Sequence, residues 1–361
     1  MHRPALLLAA LALPLLAGGC APVNRLVDHW ALGAMSDLAA RGQSAPAGRL
    51  PFESAEELER LTRPADGEVL EVRSLPQPRP IDDVRLTQEI LTFPSAIRLL
   101  GESSNQAVAH VFRRGAWGER PVLLWVPGVS IGFGDWPGLT EYFTYVLEAG
   151  ADVVLFEPPY HFSRAPAGTG SGEVFLSTDY ADHLSAFAQE ISDLRRLTRW
   201  LRAQGVQVLG AFGSSMGGGV VMRTATFDPA FDFLVLKQPL VDWNTVLRTP
   251  EMAGARSRIE AQGIAPETMA RAYRALDSRG DRPKLPAARI SLLYGRFDQV
   301  APEAQALSLA EAWGISDVTA YPRGHALIMW GGLPYRDVPR IVARHLDALR
   351  LSRRGPDSHA R

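Results

Sequence analysis

Three observations predict an α/β fold, with a mostly parallel central sheet and helices on both faces. β runs and helical stretches alternate from residue 82 to about 350. Val122–Val126 is apolar throughout, the pattern of a strand buried on both faces. The 361 residues are 46% hydrophobic and 21% charged, an ordinary globular composition in a chain long enough for a large core.

The N-terminus reads differently. Met1-His2-Arg3 is followed by an apolar run from Ala5 to Ala17 and then by Gly18-Gly19-Cys20. A short positive start, an apolar stretch and small residues before a cut make a secretory signal over residues 1–19. The run falls short of the ~20 residues of a membrane span. Ala17-Gly18-Gly19-Cys20 resembles the lipobox of bacterial lipoproteins, in which the Cys is acylated and becomes the new N-terminus. Leu16 stands one place earlier than that family's usual Leu. The resemblance implies export to the bacterial cell envelope, at the outer membrane or in the periplasm. Membrane contact would come through lipid on Cys20 rather than through the fold. A plain signal-peptidase cut nearby is the alternative.

Residues 20–81 form an N-terminal extension and linker. Residues 24–49 carry one helical pattern, with Leu26, Val27, Trp30, Met35 and Leu38 as the stripe expected to meet the main domain. Ser54-Ala55-Glu56-Glu57 fits a capping box and starts a short helix. Pro-rich Leu75–Pro80 reads as the linker and boundary.

The main domain, 82–350, then unfolds in order. Val84–Thr92, Ala107–Phe112 and Val122–Val126 are strands, followed by a helix over 139–149 and the strand Asp152–Phe156. A long helix covers 183–203 and stops at Gly205. The strand Val206–Phe212, a helix from 216 and the strand Phe231–Leu236 follow. Residues 243–286 show no strand signal and are expected to form a helical cap, with Met252, Ile259, Met269 and Tyr273 selecting substrate. Ile290–Tyr294 is a strand, then come a helix over 302–313, the strand Asp317–Tyr321 and a helix over 336–349. The tail 351–361 is polar and Arg-rich, with the composition of disorder.

Several classes of function drop out. Lys and Arg total 38 against 39 Asp and Glu, a net charge of −1, so no basic field exists to hold nucleic acid. Cys20 is the single cysteine, which excludes an internal disulfide and Cys-based zinc or iron–sulfur sites. Asp179, Asp182 and His183 could suggest a metal, but they open a helix, where Asp serves as a cap. No metal and no cofactor are expected.

Chemistry concentrates at Gly213-Ser214-Ser215-Met216-Gly217, a Gly-x-Ser-x-Gly pattern between a strand and a helix. A sharp turn there lifts the Ser hydroxyl out at the carboxyl edge of the sheet. The helix N-terminus offers free N–H groups to a developing oxyanion. Gly128-Val129-Ser130-Ile131-Gly132 matches the same pattern, but Gly134 and Pro137 follow and no helix opens at once. A serine needs a base, and the base needs an orienting group. His325, His345 and His359 follow Ser215 in the chain. His359 is in the tail and His345 falls inside a helix, whereas His325 is expected in a loop just past a strand end. Asp298 lies just past another strand, with Asp242 in reserve.

Strand, serine elbow, Asp after a strand and His after the last strand resemble the α/β-hydrolase family over residues 82–350. The resemblance implies Ser215 as nucleophile, Asp298 as acid and His325 as base. It also gives a role to Trp125-Val126-Pro127-Gly128-Val129. Val129 N–H and Met216 N–H would form the oxyanion hole, with Ser130 as the alternative to Val129. Phe156-Glu157-Pro158-Pro159-Tyr160-His161, with Arg164, looks like a branch of abhydrolase-domain proteins. Tyr160, His161 and Arg164 are candidates to line the pocket. The expected function is a carboxylesterase- or lipase-like serine hydrolase acting on a small-molecule or lipid ester. The alternatives are a hydrolase-fold lipoprotein that mainly binds a partner, or an acyltransferase or peptidase with the same triad.

Overall fold

The computed structural model describes residues 20–42, 48–330 and 333–354. The expected signal over 1–19, His359 and the end of the tail lie outside the described residues. The strands are β1 (Arg73–Pro76), β2 (Thr87–Pro94), β3 (Gln106–Arg113), β4 (Val122–Val126), β5 (Asp152–Phe156), β6 (Leu209–Ser214), β7 (Phe233–Lys237), β8 (Ile290–Gly295) and β9 (Asp317–Tyr321). They form one sheet in the order β1-β2-β3-β5-β4-β6-β7-β8-β9. Pairs from β1 to β5 are antiparallel, and every pair from β5 to β9 is parallel.

The helices are α1 (Ala21–Ala40), α2 (Ala55–Thr62), α3 (Trp136–Glu148), α4 (Glu173–Ser177), α5 (Tyr180–Ala203), α6 (Met216–Phe227), α7 (Trp243–Leu247), α8 (Ala253–Ala261), α9 (Pro266–Leu276), α10 (Glu303–Trp313), α11 (His325–Trp330) and α12 (Leu333–Arg354). Strand side chains alternate between two cores. In β4, Val122, Leu124 and Val126 enter the core beneath α5, α6 and α7–α10. Leu123 and Trp125 enter the core beneath α3 and α12. A strand covered on both faces has no room for polar residues, which is why β4 reads as an unbroken apolar run.

Local signals placed α2. Ser54 Oγ accepts from Glu57 N–H at 3.2 Å, and the Glu57 carboxylate accepts from Glu53 N–H at 2.7 Å. Elsewhere the structure corrects the reading. Leu75–Pro80 is not purely a linker, because Arg73–Pro76 pairs with β2 as an edge strand, where Pro is tolerated. The expected boundary at 81/82 therefore falls inside the sheet. The next strand starts at Thr87, not Val84, whose side chain is fully exposed. The last helix runs on through Arg354, so residues 351–354 of the expected tail are helical.

The N-terminal helix ends at Ala40, and only part of the expected stripe packs: Met35 and Leu38 rest against the core. Leu26 and Trp30 are exposed, while Asn24, Asp28, Leu32, Ser36 and Ala39 are buried. Apolar periodicity misleads over the first turns because Asn24 and Asp28 dock there on backbone N–H groups, which select polar side chains. Residues 243–286 contain α7, α8 and α9 without a strand. Met252, Ile259, Met269 and Tyr273 are all buried in the core and do not present a free surface to substrate.

Candidate active site

The sheet's carboxyl edge carries three side chains that meet. Ser215 sits between β6 and α6 with φ 53 and ψ −120, a backbone region that costs a non-glycine residue ~1–3 kcal/mol. Gly217 makes the elbow feasible, since a Cβ there would lie 2.3 Å from Pro127 O and 2.4 Å from Val126 O. The turn is held by Ser215 N–H donating to Lys237 O at 3.1 Å and Leu240 N–H donating to Ser215 O at 2.9 Å.

Ser215 Oγ lies 2.9 Å from His325 Nε2, and His325 Nδ1 lies 2.8 Å from Asp298 Oδ2. Asp298 also holds its own turn, accepting Val300 and Ala301 N–H on Oδ1 at 2.8 and 2.7 Å. The carboxylate is thus both turn cap and partner of the imidazole. His325 is the first residue of α11 rather than a loop residue. The turns carrying the acid and the base are joined by Arg296 N–H to Tyr321 O and Phe297 N–H to Arg323 O.

Burial pulls the His325 imidazole down. The charge and hydrogen bond of Asp298, with the charge of Asp28, outweigh it, so His325 protonates above its ordinary range. Lys237, at the end of β7, opposes that rise. Burial brings Lys237 itself down to about 7.

The Pro127–Val129 turn crosses over the serine, since a Cβ on Gly128 would lie 2.9 Å from Ser215 Cβ. This brings Val129 beside Ser215. Met216 opens α6, so its N–H belongs to the donors that a helix cannot satisfy internally. Ser130 has φ 69, and its N–H is already taken by His161 Nε2 at 3.3 Å. It is therefore no donor for the centre, and His161 braces this turn from behind, anchored by Nδ1 on Pro159 O at 2.7 Å.

The other candidates face inward. Tyr160 is fully buried and donates to Asp182, while Arg164 is fully buried and paired with Asp193 at 3.2 Å. Both face inward and hold the segment after β5 in place. Asp179 caps α5, and His183 binds Phe175 O and Tyr273 Oη. Asp242 caps α7. His345 is buried against Ser291 Oγ at 2.8 Å. Two residues escaped the sequence reading. Gln238 donates to His325 O at 3.0 Å, and Asp28 accepts His325 N–H at 2.7 Å.

Solved structures share this architecture. Acetyl xylan esterase 1 from Thermoanaerobacterium superposes with a TM-score of 0.54 at 17% identity, covering 83% of this chain and 98% of that one. An acetyl xylan esterase from Paenibacillus gives 0.56 at 14%, covering 85% and 97%. The chain has the α/β-hydrolase fold. Within that fold, Ser215 occupies the elbow after β6, and Asp298 and His325 follow β8 and β9. Two Mycobacterium tuberculosis proteins, both described as uncharacterized, are 27% identical over 235 residues, 63% of this chain. The chain spans about half the length of these curated relatives, 54%. No protein-family model matches it.

Proposed function

We propose that the chain is a serine hydrolase that cleaves an ester or related acyl bond through an acyl-enzyme. The observation that carries this reading is the continuous Ser215–His325–Asp298 hydrogen-bond chain on a strained elbow. Ser215 Oγ attacks the carbonyl carbon while its proton passes to His325 Nε2. Asp298 holds the Nδ1–H tautomer and stabilises the imidazolium. Val129 and Met216 N–H take the oxyanion. Collapse breaks the acyl–oxygen bond, and the imidazolium returns its proton to the departing alcohol. Water then attacks the acyl-enzyme, gives a proton to Nε2 and releases the acid with Ser215 restored. No cofactor enters.

The name acetyl xylan esterase on both solved structures supports an acyl ester as the bond class. In the same reading, the protein sits in the bacterial envelope with acylated Cys20 as its anchor. Cys20 is exposed at the start of α1, where an anchor would leave the fold undisturbed.

A fluorophosphonate probe and a panel of p-nitrophenyl esters test the hydrolase. Ser215→Ala is expected to abolish labelling and to lower kcat by about 10⁴-fold or more. Ser130→Ala is expected to retain turnover, since alanine keeps the backbone N–H. Unchanged hydrolysis by Ser215→Ala overturns the proposal. A protein that labels at Ser215 and deacylates only to an added alcohol or amine is a transferase instead.

A further inference from the structure

Helix α1 lies outside the strand–helix alternation, yet its polar side chains end in the turns that carry the acid and the base. Asp28 accepts three backbone N–H groups. Gln299 and His325 donate to Oδ2 at 3.0 and 2.7 Å, and Ala326 donates to Oδ1 at 2.9 Å. One helical turn earlier, Asn24 Oδ1 accepts Gly324 N–H at 2.7 Å, while its amide donates to Cys20 O at 2.9 Å. The approach is as close as backbone permits. A Cβ on Gly324 would lie 2.7 Å from Asp28 Oδ2 and 3.0 Å from Asn24 O. Gln299 directly follows Asp298, so one carboxylate grips the residue after the acid and the base itself.

The electrostatics are unusual for a merely structural contact. Asp28 is buried, and the nearby Asp298 charge adds to the burial that raises it above the ordinary carboxylate range. Two carboxylates brought together out of water repel each other. Three charge-assisted hydrogen bonds offset part of that cost. The arrangement becomes favourable when a cation forms within reach of both charges, and the His325 imidazole, which both carboxylates favour in its protonated form, is the group that would become one in the proposed reaction.

We propose that Asp28 is a positioning residue of the active site. It locks the Asp298 and His325 turns against each other and supplies a second anion to the imidazolium. The proposal rests on the hydrolase reading for its effect on turnover. Its effect on the His325 imidazole stands without it.

Asp28→Asn is nearly isosteric and removes the charge. It is expected to lower kcat by roughly 10- to 100-fold with KM within about twofold. The acid limb of the kcat/KM profile should move to lower pH, because His325 keeps Asp298 but loses one anion, while Lys237 still opposes protonation. The His325 titration followed by NMR should move in the same direction, with no turnover required. Asp28→Glu keeps the charge and displaces it by one methylene. It should hold the acid limb near the parent's and still lower kcat. A folded Asp28→Asn protein with parental kcat and a parental His325 titration overturns the proposal. If Asp28→Asn does not fold, parental kcat in Asp28→Glu overturns it. A parent protein that hydrolyses no ester defeats the hydrolase reading alone, and the imidazole titration still decides the role of Asp28.

Discussion

At the scale of single residues, the structure buries a carboxyl group without a hydrogen-bond partner. Glu190 on α5 is completely buried, and neither carboxylate oxygen has a hydrogen-bond partner. Burial raises it to about 8, against the pull of the Arg164 guanidinium and with added push from Asp193. Between the ordinary carboxyl range and that value, the folded state binds a proton that the unfolded chain releases. Stability therefore falls as pH rises through this window, by up to ~1.4 kcal/mol per pH unit. Glu190→Gln is expected to remove that slope, so its stability advantage over the parent grows from about pH 5 to about pH 8. Urea unfolding at several pH values checks this, and parallel profiles for the two proteins would refute it. The residues of the Ser215–His325–Asp298 chain were legible in the sequence because each sits in a local signature at a strand end. Asp28 was not. A polar residue on an amphipathic helix reads as solvent-facing, and its partners at 299, 325 and 326 have no local mark in the sequence.

At the scale of elements, β4 to β8 were legible because strands buried on both faces are mostly apolar, whereas the half-buried edge strand β9 was read from its β-branched residues after a helix. β1 was missed because an exposed edge strand, containing Pro76, carries almost no burial signal. The helical insertion was recognised by the absence of strands, but the four residues singled out in it are buried. Met252, Ile259, Met269 and Tyr273 fill the core; Tyr273 stacks on Trp243 and bonds His183. Met269→Ala in α9 is therefore expected to cost ~2–5 kcal/mol in unfolding free energy. The ranking of ester chain lengths should stay unchanged. A shift in that ranking without loss of stability, read from urea titrations beside the ester panel, would return this segment to the pocket.

At the scale of the whole molecule, α1 spans from the acid and base turns to the helical insertion. Its first turns hold the Gly324 segment, and at its last turn Arg258 of α8 donates to Ala39 O. Leu26 and Trp30 remain exposed on this helix, which begins directly after the exposed Cys20. If Cys20 carries lipid, wild-type protein should fractionate with membranes and incorporate labelled palmitate, while Cys20→Ala should appear in the soluble fraction unlabelled. Equal membrane recovery and labelling of the two proteins would remove the anchor from the account. Cys20→Ala should keep the ester hydrolysis proposed above, because Asn24 bonds the Cys20 backbone carbonyl and not the thiol. The hydrogen bonds that tie Asn24 and Asp28 to their partners also span nearly the full chain, from 271 to 300 residues of separation. Synthesis at roughly 5–20 residues per second puts tens of seconds between the two sides of those bonds. A nascent chain that has not yet released residue 326 carries Asn24, Asp28 and Ser215 but not every partner that Asp28 grips. The order of the chain thus acts as a clock, placing the contacts that seat His325 among the last that synthesis permits.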